Sequence, residues 1–317
     1  MKRQFALAVP TSAVLALFTF CSANAVAQSS PGAAAGVAQV IITATASHGA
    51  VPKVTREDVS VREDRKTCPV VSLSALNSPD SPLQLVIFID SNSTHQVGSQ
   101  FDEISRFLNS LPQNADIALA YSMNGAARME QSFTSDRVAI RKAMHLPIGP
   151  AAGNTSIYAA LSDLIRKWPS AAQGRREVLL ISDGIDVTYG LFDTQPYQNP
   201  GLQSAIRDAQ QKRVVVFSIF VSSGRATRNN ILNLNGQGSL SELTSNTGGY
   251  SFFQGTQTPV SFRPFLDNLQ QMLSQQYLLT FRPVPATASG FHSLKISTEL
   301  SGVKLLAPKQ VYISATQ

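Results

Sequence analysis

Apolar residues follow two rhythms along this chain. In the middle, runs that are apolar at every position alternate with stretches in which apolar residues return every three or four positions. On either side, apolar and polar residues take turns. Residues 85–89 (LVIFI), 178–182 and 214–221 are near-continuous apolar runs rich in β-branched members, as in strands covered on both faces of a parallel sheet. Residues 117–121 and 250–253 add two strands, and 128–133 adds a short one after the Asn124-Gly125 turn.

Between these runs the period lengthens. Val97, Phe101, Ile104, Leu108 and Leu111 form one helical face, ended by Pro112. Ile157, Ala160, Leu161, Leu164, Ile165 and Trp168 form another, closed by Pro169. Leu202, Ala205, Ile206 and Ala209 mark a third. Short helices are expected over 138–144 and 240–246, the latter stopped by Gly248-Gly249. Phe262, Phe265, Leu269, Met272 and Leu273 give the last helix, with Pro264 in its first turn.

The flanks lack helices. Residues 40–45, 59–62 and 70–73 are strand-like, and 77–82 (NSPDSP) is a turn-rich linker. Residues 277–281, 294–297, 303–306 and 311–314 are strand-like in turn. Neither flank alone can build a core, so the two are expected to pack together. The fold class is therefore α/β: a doubly wound, mostly parallel, Rossmann-like sheet flanked by a smaller β unit made from N- and C-terminal segments. The expected divisions are 1–27, a signal peptide; 28–36, a flexible lead; 37–82, the N-terminal β segment and linker; 83–275, the α/β domain; and 276–317, the C-terminal β segment.

The leader follows from Lys2 and Arg3, an apolar stretch over 5–20 and the small residues Ala25-Val26-Ala27. It implies export to the periplasm or beyond, with no integral span after cleavage. The 317 residues carry a formal charge of +6, scattered rather than clustered, which gives no footprint for nucleic acid. Of two cysteines, Cys21 would leave with the leader, so Cys68 stands without an intramolecular partner. The four histidines, His48, His95, His145 and His292, have no paired spacing, which argues against a zinc site.

Chemistry concentrates where apolar runs stop. The run at 85–89 ends in Asp90-Ser91-Asn92-Ser93-Thr94. Gly153-Asn154-Thr155 precedes a helix, and Ser182-Asp183-Gly184 follows a buried strand. Each piece alone is an ordinary turn or cap. Together, at the carboxyl edge of a doubly wound sheet, they bring two carboxylates, an amide and two hydroxyls to one crevice. Oxygen-only donors suit a hard divalent ion, Mg²⁺ or Mn²⁺. Asp186 is expected to be solvated. Residues 187–201 form a long loop at the same edge with Tyr189, Phe192 and Tyr197, placed either for partner specificity or for packing.

These segments resemble the von Willebrand factor type A domain, whose metal-ion-dependent adhesion site reads Asp-x-Ser-x-Ser, then Thr before a helix, then Asp-Gly after a later strand. Asp90, Thr155 and Asp183 match; Asn92 and Thr94 stand where the pattern has Ser. The flanking Val54-Thr55-Arg56-Glu57-Asp58-Val59, with Arg62-Glu63-Asp64, LTSNTGG at 243–249 and YLLTFR at 277–282, is similar to secreted bacterial proteins of the acidobacterial VWFA-related family. The resemblance implies a metal held by Asp90, Asn92, Thr94, Thr155 and Asp183. It also implies a protein partner engaged through a carboxylate. The alternative is a metal-free scaffold in an envelope or secretion assembly. No Gly-x-Gly-x-x-Gly, Walker loop or Gly-x-Ser-x-Gly elbow is present, and no nucleophile and base are paired in sequence, so an enzyme is not expected.

Overall fold

The computed structural model describes residues 36–77, 81–93, 95–148, 155–169, 174–190, 194–223, 230–284 and 289–314. The first four strands are β1 (Ala38–Ala46), β2 (Val59–Glu63), β3 (Lys66–Cys68) and β4 (Val70–Ala75). The α/β part then runs β5 (Leu83–Ile89), α1 (Phe101–Ser110), β6 (Asp116–Met123), β7 (Ala126–Thr134) and α2 (Arg137–Ala143). It continues with α3 (Ile157–Arg166), β8 (Arg175–Ser182), α4 (Pro200–Lys212), β9 (Val214–Phe220), α5 (Asn230–Thr247), β10 (Ser251–Phe252) and α6 (Arg263–Ser274). The last strands are β11 (Gln276–Phe281), β12 (Gly290–Thr298), β13 (Val303–Leu306) and β14 (Gln310–Ile313).

Six strands form the central sheet in the order β10-β9-β8-β5-β6-β7. All neighbours are parallel except β6 and β7, which form an antiparallel hairpin. Every residue of β5 and of β9 is buried, which explains their unbroken apolar runs. Alternate side chains supply two cores. Leu85, Ile87 and Ile89 of β5 pack with Ile104 and Leu108 of α1, Ile140 of α2, and Leu266 and Leu269 of α6. Val86 and Phe88 pack with Leu161 of α3, Ala205 of α4 and Leu243 of α5. Helices thus cover both faces.

The chain leaves β5 in one direction for β6 and later adds β8 on the other side. That reversal opens a crevice beyond the carboxyl ends of β5 and β8, where open α/β sheets place ligands. Asp90 follows β5 and Asp183 follows β8.

The remaining strands form two antiparallel sheets, β13-β1-β11-β4 and β14-β12-β2-β3. They share one apolar core, with Ile42 and Leu279 from the first and Val61 and Leu294 from the second. N- and C-terminal strands are thus interleaved, as expected from their lack of separate cores. The Thr-Arg-Glu-Asp stretch is a local lock. Thr55 donates its N–H (2.8 Å) and its hydroxyl (2.6 Å) to Asp58 Oδ2, closing the 3₁₀ turn that feeds β2.

Two differences from the sequence expectation stand out. α5 begins at Asn230, well before the expected 240. β3 is an additional strand. Cys68, at its end, has the environment of a buried free thiol.

Candidate functional site

Asp90 sits just past β5 and is only 1 % exposed. Its Oδ1 accepts from the Asn92 backbone N–H (3.0 Å), the Asn92 amide (3.1 Å) and the Ser122 hydroxyl (3.0 Å). Its Oδ2 accepts from the Ser182 hydroxyl at 2.7 Å. Neutral donors from three neighbouring strand ends therefore orient this carboxylate. Ser122 lies at the end of β6 and Ser182 at the end of β8. Ser122 also accepts the Ser91 N–H at 2.9 Å, while the Ser91 hydroxyl donates to the Ser122 carbonyl. The Ser182 hydroxyl, besides donating to Asp90, accepts the Gly184 N–H at 3.0 Å.

Asn92 Nδ2 reaches on to Thr155 Oγ1 at 3.1 Å. Asp90, Asn92 and Thr155 therefore form one hydrogen-bonded group although Thr155 is 63 residues from Asn92. Thr155 lies one residue ahead of the helix cap. The cap is Ser156, whose hydroxyl accepts the Ala159 N–H at 3.1 Å as α3 begins. Thr94, Gly153 and Asn154 lie outside the described residues.

Asp183 is 2 % exposed and accepts the Ile185 N–H at 2.9 Å. It joins the group through Ser182, its chain neighbour. Gly184 explains how β8 can end so tightly here. Its φ is +67°, and a Cβ would overlap the Gly236 carbonyl oxygen of α5. Gly236 in turn has no room for a Cβ against the Asp183 carbonyl. Two glycines let a helix backbone press directly on the strand end.

Asp186 is not solvated as the sequence suggested. It is 1 % exposed, accepts the Ser156 hydroxyl at Oδ2 and takes the Thr188 N–H at Oδ1, 2.9 Å. The Asx turn and the serine cap draw it inward. Tyr158 of α3 lies fully buried near all three aspartates. Burial pushes its phenol well above the usual range, and the carboxylates of Asp186, Asp183 and Asp90 add to that rise. The phenol stays protonated and donates to the Gly184 carbonyl at 2.7 Å.

At the rim, Tyr189 and Tyr197 are 52 % and 74 % exposed. They face solvent rather than packing on the domain, and Phe192 lies outside the described residues. His95 begins a 3₁₀ turn that leads into α1.

The sheet, ordered 3-2-1-4-5-6 counted from β5, with one antiparallel edge hairpin and Asp, Thr and Asp segments at one switch point, has a von Willebrand factor type A-like arrangement. No protein-family model and no curated protein sequence matches the chain. Solved structures similar to it include the conserved hypothetical protein BatB from Bacteroides thetaiotaomicron, 18 % identical over 61 % of this chain and 97 % of that one, TM-score 0.45. Proximal thread matrix protein 1 from the mussel byssus, with a zinc-occupied adhesion motif, is 11 % identical over 65 % of this chain and 49 % of its own, TM-score 0.45. The von Willebrand A domain of SpRpn10 is 14 % identical over 59 % and 94 %, TM-score 0.38. At those values the class rests on strand order and site segments.

The residues of this A-type site fit a hard divalent ion. Carboxylate, hydroxyl and amide are its donor types, and rotating the Asn92 amide exchanges Nδ2 for Oδ1 toward Asp90 and Thr155. Ser122 and Ser156 were not legible as site residues, and Ser182 was read only as part of the turn that carries Asp183. Serines ending apolar strands carry no distinctive local pattern.

Proposed function

We propose that the chain is an exported binding protein whose A-type edge holds Mg²⁺ or Mn²⁺ and engages a carboxylate on a protein partner. The supporting observation is the single group formed by Asp90, Asn92 and Thr155, with Asp183 tied in through Ser182. Asp90 and Thr155 would hold the ion with Asp183. Asn92 and Thr94 complete the set that the adhesion pattern assigns. The bound ion supplies a Lewis-acidic point at which an outside carboxylate completes the shell. The chain's own part is to orient Asp90 through four neutral donors and to offer two exposed tyrosines on the segment that follows β8. The reading is of binding without catalysis.

A second reading has one observation behind it. The Asn92 amide already donates to both Asp90 and Thr155, a stable closure without metal. A metal-free scaffold would keep that closure permanently.

Export rests on the leader at 1–27, which lies outside the described residues. Among the described residues no helix is long and apolar enough to cross a membrane. Retention of envelope proteins on the immobilised chain, with and without chelator, separates the two readings. Binding that disappears in chelator and in Asp183→Ala supports the ion-dependent function. Binding untouched by both supports the scaffold.

A further inference from the structure

A second cluster lies in the β sandwich, away from the A-type edge. Glu63 ends β2, Asp64 begins the turn to β3, and His292 sits on β12. His292 Nδ1 is 2.7 Å from Asp64 Oδ2 and 3.2 Å from Glu63 Oε1. One nitrogen and one oxygen from each carboxylate all lie within 4.8 Å of one another.

The supports behind these atoms are asymmetric in an informative way. Asp64 Oδ1 is held by the Ser293 N–H at 2.9 Å and its hydroxyl at 3.0 Å. Glu63 Oε2 is held by the Val284 N–H at 2.8 Å. Each carboxylate is thus anchored by one oxygen and presents the other toward the same imidazole nitrogen. Glu63 is fully buried, and among the described residues its Oε1 takes no hydrogen bond and meets His292 Nδ1 at 3.2 Å. Buried carboxylates are paired or coordinate metals, and the one nitrogen that Glu63 meets is shared with Asp64. The sandwich gives Glu63 little freedom to turn away, because β2 pairs with both β12 and β3. Asp64 is half exposed and leaves an approach from solvent.

We propose that Glu63, Asp64 and His292 form a site for a borderline divalent cation of the Zn²⁺ class, with water as the remaining ligand. One imidazole and two carboxylates are a donor set such ions accept with an open position. Bonds of about 2.0–2.1 Å in a tetrahedron separate ligand atoms by roughly 3.3 Å. The 3.2 Å spacing already meets that value, and the 2.7 Å spacing requires an opening of about half an ångström. The anchored oxygens act as the outer supports that hold metal ligands in orientation. The site is independent of the A-type edge.

Cobalt(II) is the probe, added to the full chain and followed by its visible d–d absorption. The expected result is a saturable band of low-coordinate Co²⁺ that Zn²⁺ displaces. The band is lost in His292→Ala, and Co²⁺ affinity falls at least about tenfold in Asp64→Asn. It survives in Asp183→Ala, which separates this site from the A-type edge. Asp64→Asn preserves the fold, since Asp64 has φ +45° and asparagine tolerates that region. Absence of the band, or a band unchanged in both His292→Ala and Asp64→Asn, overturns the proposal and leaves His292 simply paired with two carboxylates.

Discussion

The A-type edge and the β-sandwich cluster are built by opposite means. At the edge, carboxylates follow buried parallel strands, and neutral serine hydroxyls and backbone N–H groups hold them. In the sandwich, carboxylates flank a hairpin turn and face an imidazole 228 residues away. The edge offers oxygen donors suited to a hard ion. The sandwich adds a nitrogen suited to a softer one. One chain thereby presents two donor sets, each placed by topology: a switch point gathers short-range motifs, whereas antiparallel pairing gathers distant single residues.

The sharpest way to break that contrast is steric. Gly184→Val forces a branched side chain into a positive φ and into the Gly236 carbonyl, and is expected to cost about 4 kcal/mol in urea unfolding. Asp64→Asn, at the equally left-handed turn of the sandwich, keeps an oxygen for the Ser293 N–H and should cost about 1 kcal/mol. Equal losses would show that the edge is not under the tighter backbone constraint.

The seam between the regions comes next. Arg175 of β8 donates to the Leu273 carbonyl at 2.6 Å and to Gln276 of β11. Nearby Glu177 is fully buried, and burial pushes its carboxyl up from 4.5 to about 7, against the lowering effect of Arg175. The folded state therefore holds a proton that the unfolded state has released. Its stabilising contribution is complete below about pH 4.5 and is lost as pH rises through about 7. The loss amounts to about 3 kcal/mol. Glu177→Gln should flatten this part of the pH–stability profile. A slope unchanged by the substitution would remove Glu177 as its cause.

Smaller effects test the hydroxyl supports. Ser122→Ala and Ser182→Ala each leave an Asp90 oxygen with one donor fewer, and should each lower stability by about 1–2 kcal/mol. Both should also weaken Mn²⁺ binding without altering the Co²⁺ band of the sandwich. The smallest effect is expected from Asn92→Ser, which restores a hydroxyl at the ion-facing position. It should change stability by less than about 1 kcal/mol and raise affinity for Mg²⁺. A fall in affinity would mean that the asparagine amide is itself a ligand.

Much of this architecture is legible in the chain because buried parallel strands are contiguous apolar runs and their helices are local. Residues 85–89 and 214–221 illustrate it, as do the faces ending at Trp168 and Leu273. What escaped depends on packing. The first half of α5, Asn230 to Gly238, is rich in asparagine and glycine, yet it is helical. Gly236 fits against Asp183, and Asn235 bonds Thr194 at 2.8 Å. Lys66–Cys68 shows no alternation, and pairing with β2 makes it a strand. At the candidate site, the meeting of Asp90, Asn92 and Thr155 was foreseeable from a known spacing. Asp186 was misread because nothing local announces the Ser156 hydroxyl that draws it inward. The meeting of His292 with Glu63 and Asp64 was invisible, since the turn that faces it lies at the other end of the chain.

The central claim is tested most directly by titrating Mn²⁺ calorimetrically into the chain carrying His292→Ala, which removes the imidazole of the sandwich cluster. Saturable heat that vanishes when Asp183→Ala is added is the predicted result. No heat, or the same heat with and without Asp183, would contradict it.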